Sequence, residues 1–273
     1  MKLSIKNKLI DFNKPKIFGI LNLSPNSFFD GGKFIKVDRA LKQFEKMLKD
    51  GADFIDIGAE SSKPGSKRIT EKEELKRLIP FLEKLKINFP SALFSVDTWK
   101  SKVAEESILR GASIINDISS SNMDKKMMNV ISKYKVTYIM MHMKNNPETM
   151  QKYPIKSNSI NVVLDFFKKK IKEAESYGIK NLIIDPGIGF GKSLDENFKL
   201  LKNIDKLKLF NYPIMIGISR KSMIYKKLNI KINESLNGTT ILNTYALIKN
   251  ANILRVHDVK EAKECVNLLQ ELK

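Results

Sequence analysis

The sequence predicts a single-domain (β/α)8 barrel, also called a TIM barrel, over its 273 residues. Eight short apolar runs each end in a polar residue that can take part in chemistry, and amphipathic helical segments lie between most of them. Parallel strands that are buried on both faces have this appearance, and in this fold the catalytic side chains gather at the carboxyl ends of the strands. We expect one domain over 1–273, with the barrel at 16–271 and a small cap at about 1–12.

The eight runs follow one another along the chain at spacings that leave room for a helix between strands. In order, the runs and the polar residues that end them are Lys16–Leu21 before Asn22, Asp53–Ile55 before Asp56, Ala92–Val96 before Asp97, Ser113–Ile115 before Asn116 and Asp117, Val136–Met141 before His142, Asn181–Ile184 before Asp185, Pro213–Ile218 before Ser219, and Ile253–Leu254 before Arg255 and His257.

Helix signals lie between these runs. Apolar residues recur at helical spacing over 38–50, 103–110, 158–177 and 258–271. Thr70 with Glu73, and Ser193 with Glu196, have the spacing of a capping box, which marks the first turn of a helix. The alternation of strand and helix therefore holds along the chain.

Composition narrows the class of protein. The formal net charge is +19, but lysines are scattered through nearly every helical segment, which favours a solvated surface over a nucleic-acid partner. The amino terminus has no signal-peptide pattern, and no apolar run reaches the roughly 20 residues of a membrane span. A single cysteine, Cys265, suits a reducing compartment. We expect a soluble cytoplasmic protein that binds neither nucleic acid nor membrane.

Two acids and an amide end strands at the predicted barrel mouth. Asp97 and Asp185 would each be partly buried there, where an unpaired carboxylate is costly. For either acid alone, the simpler interpretation is a salt bridge to a neighbouring cation. The two acids and Asn116 together are better explained as a binding site for a fused heterocycle that is rich in N–H donors.

Cations follow the seventh and eighth runs. Lys221 can neutralise Asp185 or reach a ligand carbonyl, and Arg255 with His257 and the Asn22 amide suits a phosphate or diphosphate. Arg255 can equally form an ion pair with Asp56 or Asp97, and both roles can coexist.

The glycine-rich segment at 185–192 does not fit a nucleotide-binding motif. It has the spacing G-x-G-x-G followed by Lys192, which fails both the dinucleotide and the P-loop patterns. Its glycines instead permit a tight loop that can place Phe190 over a flat ligand. The chain has only two histidines and no cluster of cysteine, histidine and carboxylate residues at metal-ligand spacing, which argues against structural zinc. Mg²⁺ is still possible, because it can bind with a diphosphate and needs few protein ligands.

Eight motifs around the strand ends occur together, and in this order, in one known family. They are ILNLSPNSF at 20–28, DIGAES at 56–61, SVDT at 95–98, IND at 115–117, MHM at 141–143, DPGIGFGK at 185–192, GISRKS at 217–222 and RVHDV at 255–259. With these motifs the chain resembles the dihydropteroate synthases from its first barrel strand to its last.

The resemblance implies a folate-biosynthesis transferase, usually homodimeric, with Mg²⁺ as cofactor. It joins (7,8-dihydropterin-6-yl)methyl diphosphate to 4-aminobenzoate, and the C–O bond largely breaks before the amine attacks. The implied catalytic residues are Asp185, Lys221, Arg255 and His257. The implied pterin residues are Asp97, Asn116, Asp185, Lys221 and Arg255; the diphosphate residues are Asn22 (also the metal ligand), Ser62, Lys63, Arg255 and His257; the aminobenzoate residues are Pro64, Phe190, Lys221 and Ser222.

Two other functions remain as alternatives. A pterin-binding methyltransferase that serves a corrinoid partner shares the barrel and the Asp/Asn pocket, but it does not need the 219–222 and 255–258 motifs together with two long first loops. A basic nucleic-acid-binding protein predicts binding with a steep salt dependence and no turnover.

The chain departs from the family pattern in its first two loops. The family's second loop usually reads Ser-Thr-Arg-Pro-Gly, whereas residues 61–65 read Ser-Ser-Lys-Pro-Gly. The first loop usually reads Thr-Pro-Asp-Ser, whereas residues 24–27 read Ser-Pro-Asn-Ser. Lysine offers a point charge where arginine offers a planar, two-pronged contact, so we expect slower or looser turnover.

Restoring the family residues in both loops should therefore raise catalytic efficiency. We predict that the double substitution Lys63→Arg with Asn26→Asp increases kcat/KM above that of the parent chain, as measured by steady-state kinetics. An unchanged kcat/KM would contradict this explanation of the two departures.

Overall fold

The barrel predicted from the eight apolar runs is the observed fold. The structure, a computed structural model, describes residues 1–23, 33–60, 66 and 68–272. The expectations for Asn26, Ser62, Lys63 and Pro64 fall outside these residues.

The strands of the described chain are short and mostly buried. They are β1 (Lys2–Ile5), β2 (Lys8–Asp11), β3 (Lys16–Asn22), β4 (Phe54–Gly58), β5 (Phe94–Asp97), β6 (Ile114–Asp117), β7 (Thr137–Met141), β8 (Leu182–Asp185), β9 (Met215–Ile216) and β10 (Ile253–Val256).

Helices connect the strands on the outside of the barrel. They are α1 (Lys33–Lys49), α2 (Glu71–Asn88), α3 (Ser101–Leu109), α4 (Met127–Tyr134), α5 (Ser159–Ser176), α6 (Leu194–Lys202), α7 (Ser222–Leu228), α8 (Leu236–Ile248) and α9 (Val259–Gln270), with 3-10 helices at Ile204–Phe210 and Ile232–Glu234. None of these helices is long and apolar enough to cross a membrane, as far as the described residues extend.

Eight strands form one parallel sheet in the order β8-β7-β6-β5-β4-β3-β10-β9. An isolated parallel bridge between Ile184 and Ile214, with Ile184 N donating to Pro213 O over 2.9 Å, joins the two ends of the sheet. The seventh apolar run, 213–218, gives a strand of only two residues because it pairs with β10 at Met215 and Ile216 alone. All eight carboxyl ends therefore face one mouth.

The first residues of the chain form an antiparallel hairpin, β1–β2, at the opposite end of the barrel. Leu3, Ile5 and Phe12 pack in one buried cluster with side chains from the first halves of seven barrel elements, namely Phe18, Phe54, Ile114, Ile139, Ile183, Met215 and Ile253. The Phe18 and Phe54 rings stack at 4.6 Å between centroids. This layer closes the amino-terminal end, so ligands reach the interior from the carboxyl end.

Local signals start two helices where the sequence predicts. Thr70 Oγ1 accepts from Glu73 N over 3.2 Å at the start of α2, and Ser193 Oγ accepts from Glu196 N over 3.3 Å at the start of α6. The Glu196 carboxylate does not complete a capping box, however. It accepts from Ser159 N over 2.8 Å and so ties the start of α5 to α6.

Candidate active site

One arginine links two carboxylates across the barrel mouth. Arg255 leaves β10 and donates from Nε to Asp56 Oδ2 on β4 over 2.6 Å and from a terminal nitrogen to Asp97 Oδ2 on β5 over 2.8 Å. Because β3 lies between β10 and β4 in the sheet, the guanidinium crosses the interior. The ion pair that the sequence offered as one interpretation of Arg255 is therefore present, with both acids.

Asp56 joins several strands at this mouth, and the sequence marks it as a strand end and as a possible partner of Arg255. It is fully buried, at 0% exposure, and also accepts from Ser95 Oγ over 2.6 Å and from Asn116 Nδ2 over 3.0 Å. Its bonds hold β4, β5, β6 and β10 together. The available sequence signal is its place directly after an apolar run.

Burial sets the protonation of these groups. It raises the pKa of Asp97 to about 8, with Arg255 opposing the rise and Asp56 adding to it. Burial also disfavours the charge on Arg255, but Asp56 and Asp97 more than offset this and hold its pKa above the usual value. The arginine therefore stays charged, whereas Asp97 can change its protonation near neutral pH.

Asp185 and Lys221 lie on the other side of the mouth. Asp185 Oδ1 accepts from Gly187 N over 2.7 Å, and burial raises its pKa. Lys221 Nζ donates to Ile188 O and lies 4.6 Å from the centre of the Phe190 ring. Burial lowers the pKa of Lys221 to about 8. The lysine is thus oriented by the glycine-rich loop and forms no direct ion pair with Asp185 within the described residues.

Glycine is required where the chain turns after β8. Gly187 has φ of +67°, and a Cβ there would lie 1.9 Å from the His142 carbonyl oxygen. No other residue type fits this approach. The turn brings Phe190 to Lys221, as expected for a loop that places an aromatic ring at the site.

Asn22 ends β3 beside Asp97. A Cβ added to Gly58 would lie 3.5 Å from Asn22 Oδ1 and 3.5 Å from Asp97 Cβ, so the two side chains flank the same glycine. Gly217 holds a similar place, because a Cβ added there would lie 3.8 Å from Arg255 Cβ and 3.8 Å from Lys221 Nζ. Small residues keep the mouth open between the functional side chains.

The rim residues after β9 and β10 are tied to one another. Ser219 Oγ lies 3.0 Å from His257 Nδ1, and the exposed His257 also donates from its backbone nitrogen to Ser219 Oγ over 3.2 Å. Arg220 forms two bonds with Asp258, of 2.9 and 2.7 Å. Arg220 therefore supports the rim. Ser222, the first residue of α7, follows Lys221 directly.

A second ionic cluster, which sequence reasoning missed, lies next to Asp97. The Lys100 ammonium pairs with both Glu60 and the fully buried Glu74, and lies 4.7 Å from the centre of the Trp99 ring. Trp99 Nε1 donates to Glu60 over 3.2 Å. These bonds fix the chain that follows β5, and the long gaps in sequence between partners explain why no local pattern predicted them.

Metal-binding capacity at the mouth is small. No group of three or more His, Cys, Asp or Glu side chains is placed to hold a metal ion in the described part of the chain. His142 is buried, and burial lowers its pKa to about 3. The Asn22 amide oxygen at the end of β3 is a neutral oxygen of the kind that could hold a hard cation such as Mg²⁺.

Comparison with known proteins agrees with this geometry. Residues 18–257 match the family of pterin binding enzymes. The chain belongs to the pterin-binding enzyme family. The dihydropteroate synthase of Clostridium beijerinckii is 42% identical over 90% of this chain and 89% of its own length, and that of Haemophilus influenzae is 40% identical over 99% and 98%.

Solved structures of this family share the whole barrel. A crystal structure of the Yersinia pestis dihydropteroate synthase with a sulfonamide drug complex superposes with a TM-score of 0.93 at 37% identity, covering 100% of this chain and 99% of that one. A Clostridium difficile dihydropteroate synthase, solved in the presence of pteroic acid, gives 0.89 at 36% identity, covering 95% and 97%.

Removing the central arginine should destabilise the barrel in a pH-dependent manner. We predict that Arg255→Leu lowers the free energy of unfolding by about 3–5 kcal/mol at about pH 8, because it leaves two buried carboxylates uncompensated. The loss should be smaller at about pH 5.5, because burial raises the pKa of Asp97 and this acid takes up a proton there. Urea unfolding at both pH values measures this.

Arg110→Leu is the matched control, because Arg110 pairs with Glu83 and Glu106 on the surface. Its cost should stay under about 1 kcal/mol. An equal cost for Arg255→Leu at both pH values would contradict the assigned ion pairs.

Proposed function

We propose that this protein is a dihydropteroate synthase, a transferase of folate biosynthesis that condenses (7,8-dihydropterin-6-yl)methyl diphosphate with 4-aminobenzoate. One observation carries the proposal: Asp97, Asn116, Asp185 and Lys221 surround a single barrel mouth in a chain that matches dihydropteroate synthases over nearly its whole length. The named relatives favour this reaction over methyl transfer to a corrinoid partner.

The pterin ring binds among the strand-end acids in this proposal. Its N–H donors meet the Asp97 and Asp185 carboxylates, and Asn116 supplies both a donor and an acceptor. Arg255 lies against the ring while it balances Asp56 and Asp97. Support comes from the rigidity of these groups, because each sits on a barrel strand or is held by two or more protein bonds.

The diphosphate binds toward the rim near Asn22, Arg255 and His257. Asn22 offers one amide oxygen to Mg²⁺, and a bound Mg²⁺ would balance charge on the leaving diphosphate. Ser62 and Lys63 would complete this side from the second loop. The need for Mg²⁺ is tested by titrating the metal-free enzyme, whose product formation should rise with added Mg²⁺ and stay flat if no metal is required.

The reaction is a substitution at the pterin methylene carbon. The C–O bond to the diphosphate breaks and its electron pair leaves with the diphosphate; the 4-aminobenzoate nitrogen then bonds to the methylene carbon and loses a proton. A largely dissociative path needs no strong base. The chain contributes orientation and charge: Lys221 and Phe190 align the aminobenzoate beside Ser222, and Pro64, which lies outside the described residues, is expected at the same substrate from the family resemblance.

A homodimer is the proposed assembly. The 13-residue helix α8 has no charged residue, although 29% of the chain is charged, and it leaves Ile241 and Ile248 exposed. Leu228 and Ile232 are exposed nearby. We assign this apolar face to a second copy of the chain. Sedimentation equilibrium should give twice the 31.2 kDa chain mass, whereas a single-chain mass would exclude the dimer.

We propose that the reaction takes place in the cytoplasm. The only cysteine of the chain, Cys265, is buried in α9 as a free thiol, which is in keeping with a reducing compartment.

Two substitutions at the mouth should abolish most of the activity. We predict that Asp185→Asn and Lys221→Ala each reduce formation of labelled dihydropteroate from labelled 4-aminobenzoate by about 100-fold or more, because each removes a charge from the pterin site. Circular dichroism should show an unchanged fold for both variants.

Asp195→Asn and Lys226→Ala serve as controls, since both side chains lie outside the mouth on the helices that follow β8 and β9. They should retain parental rates. A well-folded parent chain that forms no dihydropteroate in the presence of Mg²⁺ would overturn the proposed function.

A further inference from the structure

The loop from 186 to 191 is held by side chains at four consecutive carbonyl oxygens. Lys192 Nζ donates to Gly187 O over 2.7 Å and to Phe190 O over 3.2 Å. Lys221 Nζ donates to Ile188 O, and Gln151 Nε2 donates to Gly189 O over 2.9 Å. The backbone of this glycine-rich loop is therefore held in place by three side chains that are far apart in sequence, those of Gln151, Lys192 and Lys221.

Lys192 is the centre of this arrangement. Its side chain is almost fully buried, at 2% exposure, and its third contact is the His142 carbonyl oxygen at 3.4 Å. An ammonium group has three donors and no acceptor, so three carbonyl oxygens match it. Lys192 forms no ion pair with a described carboxylate, although a buried charge without one is costly. Burial lowers its pKa to about 7, while Asp185 opposes this and Lys221 reinforces it.

The backbone nitrogens of the loop are fixed as well. Gly187 N donates to Asp185 Oδ1 over 2.7 Å, and Gly189 N donates to Asn197 Oδ1 over 2.6 Å. Asn197 Nδ2 in turn donates to Lys192 O over 3.1 Å. The loop therefore has little freedom to shift as long as Lys192 stays in place.

The fixed loop touches Lys221 at several points. A Cβ on Gly189 would lie 3.1 Å from Lys221 Cδ, the Ile188 carbonyl receives its ammonium group, and the Phe190 ring lies 4.6 Å from Nζ. A displacement of the loop would therefore displace the lysine and the ring together.

We propose that Lys192 is a positioning residue for the reaction. Its ammonium group donates to the carbonyl oxygens of Gly187, Phe190 and His142. These bonds hold the loop in the position that aligns Phe190 and Lys221 with 4-aminobenzoate. This inference rests on the proposed function. Lys192 itself is buried beneath the loop and acts through it.

The two substrates should respond differently when this support is lost. The aminobenzoate meets Phe190 and Lys221, which depend on the loop. The pterin ring also meets Asp97 and Asn116, which lie on β5 and β6 and are held by Arg255 and Asp56. Loss of the loop should therefore affect aminobenzoate binding far more than pterin binding.

The test is Lys192→Met, which keeps the apolar stem and removes all three donors. We expect the KM for 4-aminobenzoate to rise at least tenfold, while the Kd for the pterin diphosphate, which also depends on Asp97 and Asn116, rises by a clearly smaller factor. Amide hydrogen exchange over 186–191 should become faster even without substrate, so the loop is tested independently of turnover.

Lys170→Met is the matched control, because Lys170 is a buried lysine at 6% exposure that pairs only with Glu173 on α5 among the described residues. It should leave KM and the exchange of 186–191 unchanged. If Lys192→Met does not fold, the exposed Gln151 provides the second variant: Gln151→Ala removes one of the four carbonyl bonds and should raise the KM for aminobenzoate about threefold.

The outcomes separate this inference from the proposed function. A parent chain without activity contradicts the function. An active parent whose Lys192→Met variant keeps its aminobenzoate KM, or loses affinity for both substrates equally, contradicts the positioning role, and so does an unchanged KM in Gln151→Ala where Lys192→Met fails to fold.

Discussion

The carboxyl end of this barrel depends on one guanidinium group that balances two buried carboxylates. Without Arg255, the neighbouring strands β4 and β5 would end in two buried carboxylates that lack a counter-charge, which is costly. With it, β4, β5, β6 and β10 share one hydrogen-bonded unit. The same unit presents Asp97 and Asn116 to a ligand at little further conformational cost, which is how a rigid scaffold favours binding.

The opposite side of the mouth is built differently, from a loop in which the carbonyl oxygens of residues 187–190 each accept a hydrogen bond from a side chain. Two lysines donate to this loop from different sides: Lys192 is buried beneath it, and Lys221 lies at the mouth. The strand side therefore suits recognition of a planar, donor-rich ring, and the loop side suits alignment of a second, aromatic substrate. A substitution reaction without a strong base needs both kinds of positioning.

Local pattern predicted the strands and the starts of α2, α5, α6 and α9, because buried parallel strands and helix caps have short-range signals. It gave no start for α4, α7 or α8. The same pattern located the polar strand ends, and the family resemblance named their roles. The sequence pattern did not show that Asp56 bonds to side chains from three other strands. Its bond to Arg255 joins residues 199 positions apart and forms only when the barrel closes. The sequence showed Lys192 as the last residue of a family motif and as a departure from a nucleotide motif. Its structural role was not predicted, because its partners are backbone carbonyl oxygens and no side-chain pattern marks them.

The most direct test of the strand-side pocket is a calorimetric titration with a hydroxymethyl dihydropterin, which lacks the diphosphate, at about pH 7 in two buffers of different ionisation enthalpy. Burial raises the pKa of Asp97 while Arg255 opposes the rise, and the N–H donors of a bound pterin ring favour the charged carboxylate. Pterin binding should therefore lower the pKa of Asp97 and release protons. We predict net proton release on pterin binding, and a clearly smaller release in Asp97→Asn. Binding without proton release, or equal release in both proteins, would contradict the role assigned to Asp97.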